Sequence, residues 1–168
     1  MAKKLPLSFF RRDVLEVAPD LLGKCLVRQF DDKTIERFKI SEVEAYRGEE
    51  DKACHASKGR TKRTEVLYQN GGEIYVYLIY GMYWLLNIVT GSMGHPQAVL
   101  IRSIEGISGP GRIGKRLKLD KSFYGESAIG NRLWIEDLAQ KPKYRTTPRI
   151  GVEYAKEWKE MPWRFIVQ

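Results

Sequence analysis

The chain has 168 residues, 43% of them apolar, and a formal net charge of +8 from 29 Lys and Arg against 21 Asp and Glu. That length and composition fit one core-forming domain over residues 1–168 and exclude a low-complexity or disordered chain. Two cysteines, Cys25 and Cys54, and two histidines, His55 and His95, exclude a disulfide framework and a Cys/His zinc cluster, so no metal or cofactor is expected, while the basic surplus favours a polyanionic partner.

The opening MAKKLPLSFFRRD carries charge but lacks the apolar centre of a secretory signal. The expected location is therefore the cytoplasm, at the nucleoid, in a prokaryote, or the nucleus in a eukaryote. Ala18-Pro19-Asp20-Leu21-Leu22-Gly23 reads as a short helical turn, with proline near its entry and glycine as its stop. Lys24 to Gln29 and Thr34 to Ala45 read as strands joined at Asp31-Asp32. Side chains alternate along a strand, which puts Phe38, Ile40, Glu42 and Glu44 on one face. If that face looks inward, at least one glutamate is drawn into a dry site; the plainer reading is that the strand end twists and both meet water or a lysine.

Tyr46 to Arg63 has neither strand nor helix period, and polar loops of that length inside a domain are often functional. It carries His55 and ends in Lys58, Arg60, Lys62 and Arg63, a group that suits either a solvated face or contact with phosphates. Beyond the Asn70-Gly71-Gly72 turn signal, Glu73 to Asn87 holds Tyr75, Tyr77, Tyr80, Tyr83 and Trp84 with no charge after Glu73. We read two strands joined at Gly81, with Ile79, Tyr80 and Met82 at the tip. An apolar tip on a basic protein suits a wedge between stacked bases; a hairpin buried in the core is the plainer alternative. The uncharged run Ile74 to Val89 is shorter than the roughly 20 residues of a spanning helix and rich in strand formers, so no membrane association is expected.

Ala98 to Glu105 reads as a further strand, with Arg102 on a face shared with Leu100 and Ile104, a placement that calls for a carboxylate or an anionic ligand. Ser108-Gly109-Pro110-Gly111-Arg112 opens a helix through Leu117, and glycine-flanked helix starts expose N–H groups that can hold a phosphate. Asn131 to Glu136 reads as a late strand and Lys141 to Arg149 as a basic loop. Glu153 to Lys159 is helical in character up to Pro162, and Trp163 to Val167 suits a closing strand.

With these positions in order, the chain resembles the alkyladenine DNA glycosylases, the 3-methyladenine DNA glycosylases of the alkylpurine type. The resemblance runs from Leu21-Leu22-Gly23 to the C-terminus. Its anchors are Glu42-Val43-Glu44-Ala45-Tyr46, Asp51 with His55, Tyr75 through Tyr83 followed by Asn87, Arg102, Gly109-Pro110, Lys121-Ser122-Phe123, and Arg149-Ile150-Gly151-Val152 with Glu157-Trp158. It implies an α+β fold: a single compact domain with a curved antiparallel sheet, flanking helices and a protruding hairpin. The implied function is a monofunctional DNA glycosylase of base excision repair, which flips alkylated or deaminated purines out of double-stranded DNA and hydrolyses the N-glycosidic bond, leaving an abasic site.

Residue by residue, the resemblance makes Tyr80 the intercalating side chain, supported by Met82 and Tyr83. Tyr46 and Tyr77 sandwich the flipped base, His55 hydrogen-bonds its edge, and Asn87 discourages guanine at its 2-amino group. Glu44 is the catalytic carboxylate, with Arg102 and the main-chain carbonyl of Ile150 holding the attacking water. Arg60, Lys62, Arg63, Gly109, Gly111 and Arg112 are candidate contacts to the DNA backbone. No lysine stands beside the site motif to form a Schiff base, so no strand cleavage by a lyase step is expected. A monomer is expected by analogy, without the N-terminal extension of larger relatives. Val43, Trp84 and Asn70-Gly71 depart from the family pattern and bear on substrate preference. Two other readings stand beside this one: a helix-hairpin-helix glycosylase built on Gly109 to Gly114, opposed by the strand content and by the closeness of Asp120, and a non-catalytic nucleic-acid-binding module, which has no need of Glu44 among aromatics.

Overall fold

The computed structural model describes residues 2–168. Its frame is an antiparallel sheet of strands β1 (Lys3–Lys4), β2 (Cys25–Gln29), β3 (Ile35–Arg47), β4 (Ile74–Ile79), β5 (Tyr83–Val89), β6 (Gln97–Ile104), β7 (Ile107–Ser108), β8 (Leu133–Asp137), β9 (Tyr144–Thr147) and β10 (Arg164–Val167). The main order is β1-β8-β2-β3-β6-β5-β4, with β7 on β6 and the β9–β10 pair on β3. Helices α1 (Leu7–Phe10), α2 (Val14–Leu21) and α3 (Pro110–Arg116) flank it, with short 3-10 turns between, which makes the fold α+β. No helix among the described residues is long and apolar enough to cross a membrane.

Helix α2 starts earlier than the sequence suggests, and Pro19 lies inside it rather than at its entry. The Asp13 side chain accepts the Leu15 N–H at 2.8 Å, capping the first turn. Val14, Val17, Ala18 and Leu21 then recur at helical spacing and bury one stripe in the main core. Likewise Tyr144 to Thr147, expected as loop, forms β9; it pairs only with β10 and is mostly exposed, so no alternation of apolar residues marks it.

The expectation that Phe38, Ile40, Glu42 and Glu44 share a face is corrected by an irregularity in β3. Its pairing with β6 is irregular between Ile40 and Val43: Ser41 is unpaired on β3 and Arg102 on β6, so the register is the same on either side while the alternation along each strand reverses. The single face expected for Leu100, Arg102 and Ile104 is corrected with it: on β6 the irregularity sends Ile104 to the core with Ile101, away from Leu100 and Arg102. Ile40, Val43 and Ala45 all join the core. Glu42, Glu44 and Tyr46 are thereby turned to the opposite face. On that face one row of the sheet places Tyr75 opposite Asn87, Asn87 opposite Leu100, Leu100 opposite Glu44 and Glu44 opposite Arg164. Directly opposed residues share a face, so residues from five strands converge.

The hairpin β4–β5 turns at Tyr80 and Gly81, whose φ values of 51° and 65° are both left-handed. Met82 N–H returns to the Ile79 carbonyl at 3.1 Å, the arrangement whose twist suits a two-residue hairpin loop. Helix α3 braces β5 from the side. A Cβ on Gly114 would collide with the Trp84 carbonyl oxygen, and one on Gly111 would press the Tyr83 ring at 3.1 Å, so both glycines permit a close approach.

Candidate active site

The end of β3 delivers Glu44, which has 0% exposure. Its Oε1 accepts the Tyr46 hydroxyl at 2.6 Å and Arg102 Nη1 at 3.4 Å, and its Oε2 accepts the Ile150 main-chain N–H at 2.7 Å. A carboxylate offers about four lone-pair positions. Oε1 is doubly occupied, whereas Oε2 holds one donor and keeps one position open. Glu42, two residues back, is differently placed: Ser103 Oγ donates to it at 2.6 Å, Arg164 Nε at 2.5 Å, and Arg102 Nε lies 3.8 Å away. Burial pushes the Glu42 carboxyl up, but its bonds to Ser103 and Arg164 outweigh that and hold it below its usual range. Arg102 thus bridges both glutamates, as a structural ion pair and as a wall of the site.

Beneath these groups lies an ion pair that sequence reading left without a role. Arg149 and Asp51, both with side chains 0% exposed, meet through two bonds of 2.6 and 2.9 Å. Arg149 also donates to the carbonyls of Ala45 at 2.9 Å and Trp158 at 3.0 Å, and lies 4.9 Å over the Tyr46 ring. Asp51 in turn accepts the N–H groups of Arg47 at 2.9 Å and Ala53 at 3.0 Å. One pair therefore ties the end of β3, the loop leading to His55 and the loop carrying Ile150.

Above this floor opens a pocket of about 300 Å³, and Tyr46, His55, Tyr77, Asn87, Arg102 and Ile150 all line it. Tyr75, Cys54 and Tyr154 line it as well; Tyr75 was findable, because it stands two residues from Tyr77 on the same strand and so shares its face. Burial raises the phenol of Tyr75 to about 12 and that of Tyr77 further, so both remain O–H groups. His55 Nδ1 lies 2.8 Å from the Tyr75 hydroxyl, and its ring meets Tyr77 edge-on at 4.4 Å. Burial first, then the charges of Arg63 and Lys58, lower His55 to about 4. The imidazole is neutral at neutral pH, with Nε2 left for the pocket. Asn87 donates to the carbonyls of Tyr75 at 3.3 Å and Leu85 at 3.5 Å, which leaves its side-chain oxygen unclaimed.

At the mouth, Tyr80 is 87% exposed and Met82 65%, while Tyr83 is half-buried against α3. The basic candidates separate. Arg60 is engaged by Glu65 through bonds of 2.7 and 2.6 Å and lies over Tyr68. Lys62 is exposed, and exposed Arg63 sits 5.5 Å over the Tyr77 ring. Arg112 is exposed on α3. Gly109 donates its N–H to the Arg102 carbonyl at 2.9 Å, which joins the start of α3 to β6. Among the described residues no group of three or more His, Cys, Asp or Glu could hold a metal ion.

The family model for methylpurine-DNA glycosylase matches residues 8–109 and 105–168. A relative from Methanocella arvoryzae is 44% identical over 182 residues, covering 96% of this chain and 90% of its own length. One from Legionella pneumophila (strain Corby) is 43% identical over 176 residues, with 99% and 95% covered, and one from Desulfitobacterium hafniense is 38% identical over 195 residues, with 99% and 96% covered. Each carries the assigned name 3-methyladenine DNA glycosylase. A buried carboxylate under an aromatic pocket, in a chain matched along nearly its whole length, places this protein in the methylpurine-DNA glycosylase family, hydrolases that act on N-glycosyl bonds.

Proposed function

We propose that this protein, acting as a monomer of one catalytic domain, flips an alkylated or deaminated purine out of duplex DNA and hydrolyses its glycosidic bond, leaving an abasic strand. The observation that carries this reading is the fully buried Glu44 carboxylate, hydrogen-bonded to three residues that line the pocket, Tyr46, Arg102 and Ile150, with Tyr77 and the exposed Tyr80 in the same lining. Tyr80 enters the base stack, with Met82 and Tyr83 behind it, and fills the gap left by the departing nucleotide. Unstacking costs a few kcal/mol and least for a base already damaged. Tyr46 and Tyr77 clasp the flipped purine, and a cationic alkylpurine is attracted to their faces. Neutral His55 bonds the edge of the base through Nε2, and Asn87 meets the position where guanine carries its 2-amino group.

A water held by Arg102 and the Ile150 carbonyl gives its proton to Glu44 as its oxygen attacks C1′. The C1′–N bond breaks and its electron pair stays with the purine, so a cationic alkylpurine departs neutral and needs no acid. His55, neutral at neutral pH, supplies no proton to the leaving base. Around the site, Arg63, Lys62 and Arg112 meet strand phosphates, and the enzyme works where the DNA is, at the nucleoid in a prokaryotic cell or in the nucleus of a eukaryotic one.

The test uses a duplex with one hypoxanthine or ethenoadenine, hot alkali after incubation, and detection of strand cleavage. Wild type releases the base and leaves the strand whole until alkali is added. Glu44→Gln binds the same duplex but releases the base about 10²–10⁴-fold more slowly, the usual contribution of a positioned base. Turnover of Glu44→Gln at the wild-type rate removes Glu44 from the chemistry.

A further inference from the structure

Beside the base pocket, sharing Cys54, His55 and Tyr154 with it as a common wall, lies a second cavity of about 450 Å³. Its charged lining is Lys52, Lys58 and Arg63, with no Asp or Glu. Among the described residues none of these three cations has an ion-pair partner, in contrast to Arg60, whose charge is met by Glu65. Asp51, next to Lys52 in the chain, is committed to Arg149. The turn that presents Arg63 is fixed from within: Thr61 N–H donates to Thr64 Oγ1 at 2.8 Å, and Thr64 Oγ1 donates to the Gly59 carbonyl at 3.1 Å. The uncompensated charge is felt through the wall, since Arg63 and Lys58 add to burial in disfavouring a charged His55.

Three cations around an acid-free hollow are suited to a compact, strongly charged oxyanion. A lysine ammonium acts on a phosphate as a point charge and an arginine as a fork. Which phosphate follows from the neighbouring pocket. A base seated between Tyr46 and Tyr77 is tied through its sugar to phosphates of its own strand, and these must lie against the pocket's rim. We propose that the cavity of Lys52, Lys58 and Arg63 holds a backbone phosphate of the lesion-bearing strand while the damaged base occupies the adjoining pocket. This rests on the glycosylase reading above, adds Lys52, and assigns Lys58 of the basic run to one particular phosphate. It also divides the basic run: Lys58 and Arg63 face the cavity, Arg60 is neutralised outside it.

The probe is a lesion-containing duplex in which each phosphate of the damaged strand is replaced, one at a time, by a neutral methylphosphonate. Wild type loses affinity at one or two linkages beside the lesion, and the Lys52→Gln/Lys58→Gln double variant no longer distinguishes them. Its plot of log affinity against log salt is also flatter by about 1, the slope lost per phosphate neutralised. Lys33→Gln, in the turn at the far end of β3, serves as the control and matches wild type in both measurements. The proposal is overturned if the double variant keeps the wild-type slope and linkage sensitivity. It is equally overturned if wild type is indifferent to every linkage, as a site for free phosphate ion would be. Base release by wild type is followed on the unmodified duplex: its absence rejects the glycosylase reading, whereas its presence with unaltered salt slopes rejects only the phosphate site.

Discussion

At the floor of the pocket Glu44 has no exposed surface and its carboxylate receives three donors, whereas Tyr80 at the mouth is 87% exposed and its hydroxyl has no partner among the described residues. The floor is held by charges taken out of water, an arrangement that adds little net stability against a well-packed apolar alternative but fixes position. The tip is held by backbone alone, with a tyrosine kept in left-handed conformation at φ 51°. Each suits its task. A base and its water must stay where they are aimed, and a wedge must lack partners of its own if it is to stack on DNA.

The sharpest way to break that contrast is at Asp51. Asp51→Asn leaves Arg149 buried without its anion, which costs about 3–5 kcal/mol, read as a lowered midpoint in urea unfolding. Because Arg149 backs the Tyr46 ring and adjoins the Ile150 amide, base release slows more than lesion-duplex affinity falls. Wild-type stability in this variant means that the floor is not the rigid half.

Much of the site is legible in sequence because it obeys period. Tyr75 and Tyr77 on one strand face and Gly81 between apolar runs follow from alternation and turn chemistry. What lies hidden has no period. Nothing in Ile40-Ser41-Glu42 marks where the bulge falls, yet that bulge decides which face Glu42 and Glu44 occupy. The Asp51–Arg149 pair joins loops 98 residues apart, and loop-to-loop partners are chosen only by the finished fold. Helix α2 departs from its sequence signal for a different reason: Pro19, a residue that suits a helix entrance, lies in the final turn, and the start is set by the Asp13 cap five residues before Ala18.

At the tip the expectation reverses. Tyr80→Ala changes folding stability by no more than about 0.5 kcal/mol, as befits a surface side chain, while affinity for a lesion-containing duplex falls about 10–100-fold, the loss of a stacking partner worth ~1–3 kcal/mol. Binding measured by anisotropy alongside thermal melts separates the two. A variant that melts early but binds normally assigns Tyr80 to the scaffold and removes the wedge.

His55 sharpens the comparison, since it is half-buried between the two regions and faces cations rather than acids. Its folded value lies near 4 against 6.5 for a free imidazole, with burial the first cause. As pH falls from about 6.5 to about 4, the unfolded chain binds a proton that the folded chain refuses, so His55 contributes stability above that window and loses it on the way down. Asp13 and Glu42, also lowered, lose stability with acid in wild type and variant alike, and cancel in the difference. Melting temperatures of wild type and His55→Gln, followed across this window, therefore diverge, wild type losing several degrees more. Parallel curves mean that the imidazole takes up its proton as freely folded as unfolded, and then His55 belongs with the solvated tip rather than with the dry floor.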